Sequence, residues 1–150
     1  MERMSDPIST TDWEYRTLLI IWTALLVTPP LYMLCLYLIS PGVVQFDHSQ
    51  PFIGEHYIVV PAAILMSLLD LFLSHYRYNN YVRQSIINKN PDLVRKALVT
   101  AGANTISIAV YGFFLAWIFN YPYFYFWLLV GMIATAFYYP RRSVLAAARI

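Results

Sequence analysis

The sequence predicts an all-α integral membrane protein, a four-helix bundle built from two helical hairpins. Three observations predict it. Of the 150 residues, 59% are hydrophobic and only 12% are charged, whereas a soluble domain carries about 25% charged residues. The apolar residues gather into four continuous runs, not the alternating segments of a membrane β-barrel. All ten Lys and Arg lie outside those runs and sit at alternating ends of them.

The chain opens with MERMSDPISTTD, which is polar and mixed in charge. It lacks the basic segment and short apolar core of a cleaved signal, so the first run is expected to be retained. That run, Thr17–Ile39, is long enough to cross a hydrocarbon core of about 30 Å. Pro29-Pro30 at its middle predict a kink and a freed carbonyl that a neighbouring helix or water must satisfy. A broken helix of this kind also marks some transport sites. Cys35, the only cysteine, lies inside the run and reads as a small apolar filler.

The segment Ser40–His56 has no Lys or Arg and contains FDHSQPFIGEH. Asp47, His48, Glu55 and His56 are ligand-capable, and two acid–histidine pairs are a chemistry that binds Zn²⁺ or Cu²⁺. Their spacing matches no compact metal motif, and a solvated loop explains the same residues. A metal or quinone site formed by this loop or by the Pro29-Pro30 break is therefore one reading to test.

The second run, Tyr57–His75, holds Asp70, the only carboxylate well inside a span. At 1.5 Å per residue from Arg77 it lies roughly 10 Å below the interface. The third run, Ala97–Phe119, proceeds the other way and places Asn104 at a similar depth. Packed side by side, the two runs would bring Asp70 and Asn104 together as an intramembrane polar pair. Such a pair is either a proton or cation site or an interhelical hydrogen bond, the latter contributing about 0.6 kcal/mol. Ala97, Ala101, Thr105 and Ala109 recur every four residues and form a stripe that lets helices approach closely. The fourth run, Tyr123–Tyr139, repeats the device with Gly131 and Thr135.

Orientation follows from the basic residues. Arg3 and Arg16 precede the first run, Arg77, Arg83, Lys89, Arg95 and Lys96 lie between the second and third, and Arg141, Arg142 and Arg149 follow the fourth. The positive-inside rule places both termini and this middle loop in the cytoplasm. Tyr121, Tyr123, Tyr125 and Trp127 are expected to form an outer aromatic belt, and Tyr138 and Tyr139 an inner one. A faint repeat sets Arg16 on Arg95 and Tyr32 on Tyr111 at one common offset.

No nucleophile–base set, phosphate loop or zincin motif is present. His75 has no mate at its depth for bis-histidine haem. The sequence is thus read as no enzyme, with no cofactor and no nucleic-acid partner.

Residues 88–119, NKNPDLVRKALVTAGANTISIAVYGFFLAWIF, resemble the loop and second helix of the c (proteolipid) subunit of rotary ATP synthases. The match rests on Lys89, the Pro91-Asp92 pair, the small residues that follow, and the apolar-Tyr-Gly-apolar run Val110–Phe113. The position of that family's ion-binding carboxylate falls on Ile106. The glycine-rich first helix has no counterpart, since Tyr57–His75 contains no glycine. As a whole the chain resembles small four-span bacterial membrane proteins that share this helix and end in PRR, here Pro140-Arg141-Arg142. The resemblance implies a hairpin-based protein of the bacterial inner membrane that is able to assemble, and it argues against ion passage through the third span. The expected function is a non-catalytic membrane subunit, in contact with lipids and with other membrane subunits or copies of itself. The alternative is a proton or cation carrier or channel that uses Asp70.

Overall fold

The computed structural model describes residues 7–45, 49, 51–54 and 57–149, with side chains from residue 12 onward and Gln45 excepted. The element order is α1 (Pro7–Ile39), a 3-10 turn (Pro41–Gln45), α2 (Val59–Ile87), α3 (Asp92–Phe119), α4 (Tyr125–Phe137) and α5 (Arg142–Ala147). The described residues contain no strand. Three helices, α1 from Asp12, α2 and α3, are long and apolar enough to cross a membrane.

The helix ends away from the basic residues fall within two residues of where the apolar runs end. At the other ends α1, α2 and α3 continue past them. α2 does not stop at His75 but reaches Ile87, and α3 begins at Asp92. Hydropathy reports the length of the apolar stretch, and a polar continuation stays helical because its residues keep the same backbone bonds. The α2–α3 connection is tight: Lys89 takes a left-handed φ of 49°, and the Asn90 side chain accepts from the Asp92 amide at 3.0 Å. Asn120 closes α3 in the left-handed conformation that asparagine tolerates, with Pro122 following.

α4 has 13 residues, about 20 Å of helix, and is shorter than the expected run 123–139. Turns at Pro122–Phe124 delay its start, and the chain leaves helical geometry at Tyr138, two residues before Pro140. α1 runs as one helix through Pro29 and Pro30.

α3 is the centre of the bundle and packs against α1, α2 and α4, while α1 also packs on α4. Consecutive α1 and α2 share at most marginal contact, so the expected first hairpin is a hairpin of connectivity alone. The share of the apolar stretch buried inside the chain is 44% for α3 against 11% for α1 and 17% for α2. Two cores result. One, at the end that carries the basic residues, joins Leu18, Val94, Leu98 and Leu145. The other, at the opposite end, joins Leu36, Val60, Tyr121, Phe124 and Trp127.

The second core revises the outer belt. Tyr121 and Trp127 are fully buried and do not face the surroundings. Both pack on Phe52, whose ring lies parallel to Trp127 at 6.1 Å, and Tyr121 donates its hydroxyl to the Phe52 carbonyl at 2.7 Å. Burial pushes the Tyr121 hydroxyl well above the usual tyrosine range and keeps it protonated as that donor. A β-carbon at Gly112 would lie 2.7 Å from the Trp127 β-carbon and 2.8 Å from the Phe124 carbonyl, so glycine is what admits this corner.

Candidate functional site

Polar side chains inside the bundle collect along two seams on α3. The α3–α4 seam is built from small residues. Ala97, Ala101, Thr105 and Ala109, the four-residue stripe, are all fully buried. Gly131 of α4 faces the last two, and a β-carbon there would meet the Thr105 carbonyl at 3.0 Å and the Ala109 β-carbon at 3.2 Å. The close approach brings Thr105 Oγ1 and Thr135 Oγ1 to 2.8 Å. Each hydroxyl also lies within bonding distance of a carbonyl of its own helix, Gly102 at 3.0 Å and Gly131 at 2.8 Å, so the two hydroxyl protons are shared among three contacts. The indole of Trp22 donates to the Thr135 carbonyl at 3.1 Å, so α1, α3 and α4 meet at this node. Every hydroxyl in this seam has its partners within the chain, and none is left for a ligand.

The α2–α3 seam is different. α2 presents Val60, Ser67 and Ser74, spaced by seven and all buried. Ser74 donates across the seam to the Ala101 carbonyl at 3.1 Å. The helices are antiparallel, so four residues back along α2 and four forward along α3 set Asp70 level with Thr105, beside Asn104. Asp70 and Asn104 thus lie at nearly one level along the bundle. The bond differs from the expected one: Asp70 Oδ2 accepts from the Tyr111 hydroxyl at 2.7 Å. Asn104 and Tyr111 are seven residues apart and share one stripe of α3. A long side chain on a helix leans toward its N-terminus, which returns the Tyr111 hydroxyl to the level of Asp70. Asn104 Nδ2 is buried without a hydrogen-bond partner.

This seam thus holds a carboxylate, a phenol and an unpartnered amide. Among the described residues no group of three His, Cys, Asp or Glu side chains gathers as a metal site would need. Asp47, His48, Glu55 and His56 lie outside the described residues. Ile106, at the position of the rotor-subunit carboxylate, is half-buried. The Tyr111-Gly112 pair that carries part of that resemblance has separate tasks here: the tyrosine holds Asp70 and the glycine admits Trp127. Sequence reasoning missed Tyr111 as the partner of Asp70, although its seven-residue spacing from Asn104 was legible.

The ends are tied as well. Arg149 pairs with Glu14 at 2.7 Å, Arg142 with Asp12 at 3.6 Å, and the Arg142 guanidinium lies 4.6 Å from the centre of the Tyr15 ring. These contacts hold the segment around α5 against the start of α1. No family model, curated protein or solved structure matches the chain.

Proposed function

We propose that this chain is a non-catalytic, multi-pass subunit of the bacterial inner membrane that assembles with other membrane subunits or with copies of itself. In this reading the chain crosses four times, α4 completing its crossing with the flanking turns, and both termini lie in the cytoplasm. The basic residues at one end support that orientation. The c-subunit-like helix with Ile106 in place of the carboxylate supports an assembling role without ion passage along α3.

The observation that carries the proposal is the use made of the intramembrane polar groups. Ser74, Thr105, Thr135 and Trp22 each bond across a helix–helix contact, as packing groups do. α1 and α2, meanwhile, keep most of their apolar surface free for lipid or for a neighbouring subunit. Native mass spectrometry of the gently solubilised protein tests the proposal. Stoichiometric partner subunits or a closed homo-oligomer are expected, and a lone monomer under all mild conditions would contradict it.

One observation favours a second reading, a proton or cation carrier. Asp70 is bonded by Tyr111 while Asn104 Nδ2, near its level on α3, has no partner, which leaves a donor able to serve a water or an exchanging group.

A further inference from the structure

α2 and α4 both pack on α3 but scarcely on one another, and a groove of about 550 Å³ opens between them. Its deep part is lined by Leu71 of α2 and by Val130 and Ile133 of α4. Toward the basic end of the molecule the lining turns polar, with His75 and Asn79, and Tyr78 and Tyr138 meet across the groove with ring centres 4.9 Å apart. Arg141 lies within electrostatic reach of the Tyr78 hydroxyl. His75 and Asn79 also line a second, adjoining recess of about 350 Å³ along α2, together with Asn80 and Arg83. His75, Asn79 and Arg83 follow at intervals of four and form one stripe of α2. The Asn79 amide donates to His75 Nε2 at 2.8 Å, which keeps the ring proton on Nδ1 as a further donor.

The chemistry of this lining is one-sided. Neither cavity has a carboxylate in its wall. Both present donors at the shallow end, the second recess adds the Arg83 cation, and the larger one presents only apolar side chains at the deep end. An amphiphile with an anionic head and a hydrocarbon tail matches both halves. The groove volume also falls in the range of small-molecule sites, about 300–1,000 Å³. We propose that the α2–α4 groove binds one anionic phospholipid, with one acyl chain along Leu71, Val130 and Ile133 and its phosphate at the shallow rim, on His75, Asn79 and the Arg83 of the adjoining recess. The bound lipid fills the space that α2 and α4 leave and fixes α2, which otherwise holds to the bundle mainly through α3.

This inference rests on the membrane placement proposed above, and alkaline extraction of membranes tests that placement separately. A chain that leaves the membrane at high pH ends both proposals. If it stays, the full-length protein is delipidated in detergent, mixed with equal phosphatidylglycerol and phosphatidylcholine of the same acyl chains, and examined by native mass spectrometry. One phosphatidylglycerol per chain is expected to survive activation that strips phosphatidylcholine. Arg83→Gln is expected to weaken that retention at least about tenfold, the loss of one charge-assisted hydrogen bond. Ile133→Trp, which fills the deep groove from an exposed position, is expected to abolish it while the helical circular dichroism and melting temperature hold. Equal retention of the two lipids, or unchanged retention in Arg83→Gln and Ile133→Trp, would overturn the site. Inorganic phosphate at millimolar concentration is expected not to compete, and competition would show that the tail groove plays no part.

Discussion

The two seams of α3 make an instructive contrast. Against α4 the contact is made of glycine, alanine and threonine, its backbones are close, and its hydroxyls are mutually satisfied. Against α2 the contact contains a carboxylate bonded to one phenol, an amide without a partner, and a groove alongside. The first seam has the chemistry of a fixed joint, because removing any part leaves a void or an orphan. The second has groups left over. If the chain does anything beyond holding its place, the α2 side is where it does so.

Substitutions that strike one seam and spare the other separate the two roles. The largest effect is expected on the α4 side. Gly112→Ala sets a methyl 2.8 Å from the Phe124 carbonyl, so helix α4 must shift, and overpacking of this kind costs about 1–3 kcal/mol or more. Thermal unfolding in detergent is expected to show a clear fall in midpoint. An unchanged midpoint would mean that the α3–α4 corner is looser than described.

On the α2 side, Tyr111→Phe removes the donor to Asp70 and leaves a carboxylate unpaired, at a cost of about 1–3 kcal/mol. Combined with Asp70→Leu the loss is expected to be smaller than the sum of the single losses, since each partner then has nothing to miss. Strict additivity would deny the bond.

Thr105→Val and Thr135→Val come next, each expected to cost about 0.6–1.7 kcal/mol. The double variant is expected to be no worse than either single one, measured by the same melts. The smallest effect is expected at Asn104. Its Nδ2 atom is buried without a partner, so Asn104→Leu is expected to be neutral or stabilising. A marked loss of stability would instead show that the amide is engaged, and would move weight to the carrier reading.

What was legible in the sequence follows the same division. The apolar runs and their ends at Ile39 and Phe119 follow from composition, because solvent transfer of apolar side chains dominates there. The α3 stripe was legible too, since a four-residue repeat of small residues has one geometric meaning on a helix. The polar continuation of α2 to Ile87 was not, because hydropathy does not register helix that has left the apolar layer. Tyr121 and Trp127 were read as belt residues because an aromatic near a span end is equally suited to an interface and to a corner. Their neighbours Phe52 and Gly112 decide the matter, and Phe52 is 69 residues from Tyr121 in sequence. Asp70 and Asn104 were set at one level by counting residues. Counting gives height along a helix but not which side chain reaches across, and there the length of tyrosine won.

The central claim is that the polar groups within the bundle bind helices together and do not pass ions. Proton flux into proteoliposomes, with a pH-sensitive dye inside and an imposed gradient, tests it most directly. Vesicles with the wild-type chain and with Asp70→Asn are expected to leak at the same rate as empty ones. Flux above that background that disappears in Asp70→Asn would contradict the claim and make the α2–α3 seam a pathway.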